Sequence, residues 1–284
     1  MNPEVKPSDN NPLSGPACLP RVAMPLRLVL IRHGESEANL VSRAVKRGSL
    51  PGFPQKFIET PDREFRLSAL GREQALLTGP WLARQYPRGF DVIYASDHIR
   101  ARETAALVCK SAGWEKALIR IDPQLGERPW GRFAELEKSE REEILALRRR
   151  DPLHAPMPEG ELLLQTRLRT RLLLERAARE FGGQRVLVFS HGEYIEAIWA
   201  ETAHMTTEEQ ARFFEDEAGK IRNCQVVEFS SEDPENTQSD GKLRWVRSSC
   251  PSNGGDGDWR AITPRRFTPD ELLRLVESYP HLDF

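Results

Sequence analysis

The chain has 284 residues, a formal net charge of −2 and a pI of about 6.4, which excludes a global field that draws it to nucleic acid or a membrane. No apolar run approaches the ~20 residues of a membrane-spanning helix, and the N-terminus lacks the apolar core of a signal peptide. The four cysteines show no metal-site spacing and suggest a reducing compartment. We therefore expect a cytoplasmic protein.

Composition divides the chain into three parts. Residues 1–24 are rich in Pro, Asn and Ser, which predicts a disordered leader. Residues 25–230 are expected to form the main domain, with insertions at about 40–66 and 132–160. Residues 231–284 are expected to be an extension with polar loops, a possible strand and a short helix.

The first predicted element is a strand that ends in a polar turn. The apolar run Leu28 to Ile31 stops at Arg32-His33-Gly34. A short continuous apolar run is typical of a strand covered on both faces, as parallel strands are. Since α/β sheets bind ligands at the carboxyl ends of their strands, the guanidinium and the imidazole stand where such a fold keeps its chemistry.

Further elements follow in order. The segment Leu40 to Phe65 shows no clear periodicity and is expected to be an insertion that runs over the surface, across the mouth of the pocket. A helix opens near residue 67, with a kink or break expected near Pro80. Ser96-Asp97 is expected to cap the helix after the second strand. The patterns predict strands at 90–95 and 118–121 and helices at about 135–149 and 161–180.

The pattern of the first strand then recurs. Val186 to Phe189 is apolar and ends at Ser190-His191-Gly192. If the two strands are close in one parallel sheet, His33 and His191 face each other at one edge. The remaining predictions are helices at 193–203 and 207–217, a strand at 225–229, a possible strand at 243–246 and a helix at about 269–278. This alternation predicts a doubly wound three-layer α/β/α sandwich with a mostly parallel sheet.

These strand ends predict a strongly cationic pocket. Arg100 follows the second strand and Glu127 follows the third, so both join Arg32, His33 and His191. Two neighbouring guanidinium groups repel unless an anion joins them, and phosphate suits their geometry. They also oppose a divalent cation, so we expect no metal. A histidine can then act as nucleophile, and Glu127 as acid and base. No Walker loop or dinucleotide fingerprint implies a nucleotide cofactor.

Five ordered sequence blocks resemble the histidine phosphatase superfamily, also called the phosphoglycerate mutase-like superfamily, of the branch 1 type. The resemblance covers roughly residues 26–230, and Asn223-Cys224 is similar to an uncharacterised bacterial and plant branch. The matching residues are Arg32-His33-Gly34-Glu35-Ser36 with Asn39; Leu67-Ser68 with Gly71, Gln74 and Ala75; Ser96 with Arg100-Ala101 and Thr104-Ala105; Leu125 with Glu127 and Gly131; and Ser190-His191-Gly192.

The resemblance assigns roles to individual positions. It implies that His33 is the phosphorylated nucleophile and Glu127 the acid/base. It implies phosphate ligands at Arg32, Arg100 and His191. Asn39 is implied as an extra phosphate contact, with capping of the turn as its alternative role. Gly192 and Arg128 are further candidates for contacting the substrate.

The resemblance leaves the reaction open between hydrolysis and phosphoryl transfer. Cofactor-dependent phosphoglycerate mutases usually have Trp where this chain has Ala38, and Trp130-Gly131 and the residues after it match them only partly. The segment Pro158 to Glu161 better resembles phosphatases. We therefore predict a phosphomonoesterase without a cofactor, acting on a small phosphorylated substrate or a phosphopeptide. The alternatives are mutase-type transfer and a non-catalytic phospho-ligand-binding scaffold.

Several nearby residues have two interpretations. Glu193 is expected to face solvent, with a bias of the pocket against highly anionic substrates as the alternative. Arg148 to Arg150 is expected to be an exposed basic helix end rather than a pair of substrate arginines. Trp130 could line the substrate mouth or pack in the core. The other histidines are expected to be surface or packing residues: His98, His154, His204 and His281.

Overall fold

The computed structural model describes residues 22–215, 219–264, 266–277 and 279–281, so nearly all of the predicted leader lies outside the described residues. Apolar runs rich in Val, Ile and Leu form the strands of one central sheet. The seven strands among the described residues are β1 (Arg27–Arg32), β2 (Val92–Ala95), β3 (Ile119–Ile121), β4 (Arg185–Ser190), β5 (Val226–Ser230), β6 (Trp245–Ser249) and β7 (Arg260–Ala261).

The sheet brings the two His-Gly turns to the same edge. Its strand order is β3-β2-β4-β1-β5-β6-β7, and β1 pairs in parallel with β4. Ile31 lies opposite Phe189, so the chain leaves both strands at one level. β2 is parallel to β4 and β3, whereas the β1–β5, β5–β6 and β6–β7 pairings are antiparallel. Five strands thus run in one direction.

Helices cover both faces of the sheet. In β1, Leu28 and Leu30 pack on the side of α6 and α7, and Val29 and Ile31 pack on the side of α3 and α4. The helices of the described residues are α1 (Glu37–Lys46), α2 (Gln55–Glu59), α3 (Ala69–Gln85), α4 (Ile99–Ser111), α5 (Lys138–Arg150), α6 (Leu163–Glu180), α7 (Gly192–Thr202), α8 (Thr207–Glu215) and α9 (Pro269–Val276). This arrangement confirms the predicted three-layer α/β/α fold class with a mostly parallel sheet.

The first third of the chain contains more helix than its sequence patterns indicate. The segment 40–65 contains most of α1, all of α2 and a 3-10 turn at Asp62–Glu64. α1 buries no residue, so none of its side chains belongs to the core. α3 runs through Pro80 to Gln85 without a break. A proline removes one main-chain hydrogen bond, and the rest of this helix continues around that gap.

The C-terminal elements differ slightly from expectation. The predicted strand at 243–246 lies at 245–249, where it pairs with β5. The final helix begins at Pro269, as its capping box indicates, and ends at Val276. The boundaries of the domain and of its insertions remain predictions. Among the described cysteines, Cys109, Cys224 and Cys250 are free thiols. No helix built from described residues is long and apolar enough to cross a membrane.

Candidate active site

His33 lies just beyond the end of β1 with its ring held in one tautomer. Its side chain is buried, and Nδ1 lies 2.7 Å from the carbonyl oxygen of Gly34. Because a carbonyl oxygen only accepts, Nδ1 carries the hydrogen and Nε2 keeps its lone pair. Burial, together with the charges of Arg100 and Arg32, lowers the pKa of His33 well below its ordinary value. The imidazole is therefore neutral at physiological pH, as a nucleophile must be.

Arg100, near the start of α4, binds both His33 and the 3-10 turn at Asp62–Glu64. Its Nε donates to His33 Nε2 at 3.2 Å. Its Nη1 donates to the Asp62 carbonyl oxygen at 2.5 Å, and its Nη2 donates to the Asp62 carboxylate at 2.8 Å. Burial would raise the pKa of Asp62, but His98 and Arg100 bring it below its ordinary value. A carboxylate from the insertion therefore neutralises one of the predicted phosphate ligands.

His191 and Arg32 each present a buried nitrogen that lacks a hydrogen-bond partner among the described residues. The nitrogens are His191 Nδ1 and Arg32 Nε. The opposite ring nitrogen of His191 lies 2.9 Å from Ser96 Oγ, and Arg32 Nη1 donates to the Ile221 carbonyl oxygen. The His33 and His191 ring centroids are 5.1 Å apart. Buried polar groups are normally satisfied, so these two nitrogens mark a place for a polar ligand.

The first turn of α7 lies beside the Arg32 guanidinium group. A Cβ atom at Gly192 would lie 3.4 Å from Arg32 Nε. This contact places the N-terminus of α7 beside a guanidinium nitrogen without a partner in the described chain. Helix N-termini favour anions, so both features point to the same ligand charge.

Glu127 comes after β3 and a 3-10 turn at Pro123–Leu125. One carboxylate oxygen, Oε2, lies 4.0 Å from His191 Nδ1, and the other accepts the Arg128 main-chain N–H at 3.1 Å. Burial, and then the negative charge of Glu193, raises the pKa of Glu127 to about 7. At neutral pH this carboxyl group can therefore both donate and accept a proton.

Polar residues of the motif blocks hold the turn after β1. Thr104 Oγ1 accepts the Gly34 N–H at 3.0 Å, and Gln74 Oε1 accepts the Glu35 N–H at 2.9 Å. Gly71 approaches this turn so closely that a Cβ atom there would lie 1.9 Å from the Glu35 carbonyl oxygen. The turn that carries His33 is thus anchored by α3 and α4.

Asn39 belongs to the capping box of α1 and also contacts Asn223, which lies beside His33. Its Oδ1 accepts from the Ser36 N–H at 3.1 Å and from Asn223 Nδ2 at 3.2 Å. Asn223 Nδ2 also lies 3.0 Å from the His33 carbonyl oxygen. Cys224, which follows with a left-handed φ of 53°, donates its N–H to the Arg32 carbonyl oxygen at 3.0 Å. Asn39 therefore makes the capping contacts, and its role as a phosphate ligand stays a prediction.

Arg128 and Glu193 pair with each other instead of facing solvent. Arg128 Nε donates to Glu193 Oε2 at 2.8 Å, and the Arg128 side chain is fully buried. The prediction that Glu193 faces solvent is wrong, since its side chain is 13% exposed and also binds Arg148 and Trp130. The prediction of an exposed basic helix end is confirmed for Arg149 and Arg150 but is wrong for Arg148, which is half-buried and binds Glu193. The contact between α5 and α7 that pairs them leaves no local signal in the sequence.

Four further residues lie at the site, Asp62 among them. Ser96 belongs to a matched sequence block, and the other three were not singled out as site residues. Ser96 is not the helix cap but contacts His191, because the N-cap of α4 is His98. His98 packs against His191 with ring centroids 4.6 Å apart and lies 3.2 Å from the Asp62 carboxylate. Burial and Glu193 raise the pKa of Glu196, one turn along α7, to about 8. Only Ser96, which directly follows a strand, carried a positional signal.

A metal ion is a poor occupant of this site. One ligand atom each from His33, Glu127 and His191 lie within 4.8 Å of one another, a spacing that can hold a cation. However, the Arg100 guanidinium donates directly to the His33 nitrogen in this group, and Arg32 lies beside His191. Two fixed positive charges at this range oppose a divalent cation and favour an anion.

Comparison with known proteins agrees with this geometry. A model of the histidine phosphatase superfamily (branch 1) matches residues 28–237. A 2,3-bisphosphoglycerate-dependent phosphoglycerate mutase 2 of Gloeobacter violaceus is 31% identical over 226 residues, which cover 77% of this chain and 89% of that protein.

Solved structures share the fold at lower identity. A mycobacterial glucosyl-3-phosphoglycerate phosphatase in complex with VO3 matches with a TM-score of 0.56 and 21% identity, covering 85% of this chain and 100% of the other. A variant of phosphoserine phosphatase from Entamoeba histolytica in complex with phosphoserine matches with a TM-score of 0.52 and 21% identity, covering 74% and 92%. The chain therefore belongs to the histidine phosphatase superfamily, branch 1, as its sequence blocks predicted.

Proposed function

We propose that this protein is a phosphomonoesterase that forms a phosphohistidine on His33. One observation carries the proposal: two buried nitrogens, Arg32 Nε and His191 Nδ1, lack partners among the described residues beside a neutral imidazole. Phosphate oxygens would satisfy both nitrogens, and Arg100 would add a second guanidinium contact. The neighbouring structures include phosphatases, which supports the same reaction.

The first step transfers the phosphoryl group to the protein. His33 Nε2 attacks phosphorus and forms the N–P bond while the bond from phosphorus to the ester oxygen breaks. Glu127, protonated below its pKa of about 7, gives its proton to the departing oxygen. Arg32, Arg100 and His191 stabilise the charge that develops on the equatorial oxygens.

The second step restores the enzyme. Glu127, now a carboxylate, takes a proton from water while the water oxygen bonds to phosphorus. The N–P bond breaks, the electron pair returns to His33 Nε2, and inorganic phosphate leaves. We propose a small phosphorylated molecule as the substrate, because the neighbours that share this fold include proteins solved or named with such compounds. A cytoplasmic location also stays a proposal.

The first test is hydrolysis of p-nitrophenyl phosphate by the wild type and by His33→Ala. We expect the variant to lose on the order of 10³-fold or more in kcat, because the nucleophile is gone. His154→Ala is the matched control, since His154 is exposed and pairs only with Asp151 among its described contacts. Pure wild-type protein that binds phosphate but releases none from the ester would instead support the scaffold alternative.

Phosphoryl transfer between two positions of a substrate is the second candidate. Curated relatives about 31% identical are named as 2,3-bisphosphoglycerate-dependent phosphoglycerate mutases. If the protein converts 3-phosphoglycerate to 2-phosphoglycerate faster than it releases phosphate from model esters, hydrolysis is the wrong assignment.

A further inference from the structure

The Glu193 carboxylate fills a position that is built to bind an anion. Arg128 donates to it through Nε at 2.8 Å and through Nη2 at 3.4 Å. Trp130 Nε1 donates to it at 3.1 Å, and Arg148 also binds it. Both guanidinium groups stack over the Trp130 ring, each 4.9 Å from its centroid. Four donors from three side chains thus converge on one internal carboxylate.

The ion pair between Arg128 and Glu193 is buried and does not lie on the surface. Arg128 is fully buried, and its remaining amino group, Nη1, lies 3.5 Å from the Glu161 carbonyl oxygen. Burial would raise the pKa of Glu193, but Arg148 and Arg128 hold it below its ordinary value, so this carboxylate is charged at neutral pH. Arg148 is the more exposed arginine of the cluster, with 29% of its side chain accessible.

This cluster lies near Glu127, the proposed acid. Glu193 comes two residues after His191, Arg128 comes directly after Glu127, and the charge of Glu193 raises the pKa of Glu127. Glu127 Oε2 lies 4.0 Å from His191 Nδ1, and the acid that protonates an ester oxygen must contact the leaving group. The part of the substrate beyond that oxygen therefore approaches the Glu193 cluster.

We propose that Glu193 determines specificity by occupying this second anion position, so that the enzyme prefers phosphomonoesters whose leaving group carries no carboxylate or second phosphate. A like charge placed against a fixed carboxylate is repelled, and the arginines that would attract it are already paired. The inference rests on the proposed phosphomonoesterase function and adds the substrate class to it.

Two substrates of nearly equal shape test the proposal. Glycerol 3-phosphate and 3-phosphoglycerate share one carbon skeleton and differ by a hydroxymethyl group in place of a carboxylate. For the wild type we expect kcat/KM to favour glycerol 3-phosphate by about tenfold or more. In Glu193→Gln the shape is kept and the charge is lost, so the ratio should fall by about tenfold or more.

Matched variants distinguish a change in substrate specificity from a general loss of folding or activity. Glu201→Gln lies on the same helix and loses a pair with Arg167, so it should leave the ratio unchanged. In Glu193→Gln, Arg148 can pair with the carboxylate of 3-phosphoglycerate. When Arg148→Ala is added, this cationic partner is absent, so the gain in kcat/KM for 3-phosphoglycerate should disappear. Arg148→Ala alone keeps the carboxylate and should widen the wild-type preference, which gives a test even if Glu193→Gln does not fold.

The pH dependence of kcat/KM provides a second test, because it would not shift if Glu193 had only a structural role. Glu193 raises the pKa of Glu127, so removing its charge should shift the alkaline fall of kcat/KM to lower pH. Wild-type protein that hydrolyses p-nitrophenyl phosphate through His33 but prefers 3-phosphoglycerate, or an unchanged ratio in Glu193→Gln, overturns this proposal alone. Protein that hydrolyses no phosphomonoester overturns the proposed function, and this proposal with it.

Discussion

At the scale of single residues, the proposed mechanism uses Glu127 in both chemical steps, but unequally for different leaving groups. Nitrophenolate departs without a proton, whereas an alkoxide needs one. In Glu127→Gln we therefore expect a burst of nitrophenol about equal to the enzyme concentration, followed by turnover slower by about 10²–10⁴-fold, because water is no longer activated. Rapid-quench kinetics with p-nitrophenyl phosphate measures both phases.

The control for this experiment is Glu161→Gln, which alters a carboxylate that pairs with Arg169. It should show wild-type steady-state turnover. Equal losses for nitrophenyl and alkyl esters, with no burst, would contradict the assignment of Glu127 as the acid and base.

The pH dependence follows from the direction of the pKa shifts. Glu127 has its pKa raised to about 7, so the protonated acid is present below that pH and is lost above it. We expect kcat/KM for an alkyl phosphate to fall about tenfold per pH unit above pH 7. Since the pKa of His33 lies well below 6.5, no acid limb from this histidine should appear near pH 6.5.

Ionisation of the substrate adds its own pH dependence. Dividing kcat/KM of the wild type by that of Glu127→Gln for the same substrate removes this contribution. The wild-type to variant ratio should retain the alkaline fall. If this ratio is constant from pH 6 to pH 9, Glu127 is not the source of the alkaline fall in kcat/KM.

At the scale of an element, the 3-10 turn at Asp62–Glu64 binds Arg100, so we expect it to compete with phosphate for this side chain. The Asp62 carboxylate binds Arg100 Nη2, and its negative charge repels an incoming anion. In Asp62→Asn the carbonyl contact to Nη1 remains while the charge is lost. We therefore expect inorganic phosphate to inhibit hydrolysis more strongly, with an inhibition constant several-fold lower.

Glu64 offers a matched control on the same turn, because its side chain is exposed and pairs with Arg63. Glu64→Gln should leave the inhibition constant unchanged. Weaker inhibition in Asp62→Asn would show instead that the carboxylate is needed to orient Arg100.

The packing of α3 against the turn after β1 depends on Gly71. A methyl group at this position would meet the Glu35 carbonyl oxygen at 1.9 Å, and that oxygen belongs to the main chain. Gly71→Ala should therefore lower the free energy of unfolding by about 1–3 kcal/mol and also reduce activity, since the turn carries His33. Urea denaturation measures the first effect.

Gly52→Ala is the corresponding control, because no atom lies within 4 Å of the position that its methyl group would take and its φ is not left-handed. Its unfolding free energy should change by no more than about 0.5 kcal/mol. Equal stability of the two variants would contradict the close approach at Gly71.

At the scale of the whole molecule, the sequence predicts the central sheet and the arginine and histidine side chains at its strand ends, because the signals for them are local. An apolar run that ends at His-Gly places His33 and His191 at strand ends, and the parallel pairing of β1 with β4 brings the two together. Arg100 and Glu127 follow by the same rule.

Other contacts depend on packing between distant segments and leave no periodic pattern. Asp62 reaches Arg100 from a turn 38 residues away, and Arg148 reaches Glu193 across 45 residues. A charged residue without a local partner is normally predicted to be exposed, which explains the error at Glu193. The capping of α1 by Ser36 and Asn39 is local, however, and is one of the two roles that the sequence predicts for Asn39.

The contact between the His33 ring and the oxygen of the next residue has a regiochemical consequence. The imidazole nitrogen next to the main chain is occupied by the peptide group of Gly34, so in the proposed reaction only the remote nitrogen can attack phosphorus. We therefore expect the covalent adduct to be the tele isomer of the modified side chain. A single backbone oxygen, set by the turn itself, selects which of two chemically similar atoms reacts.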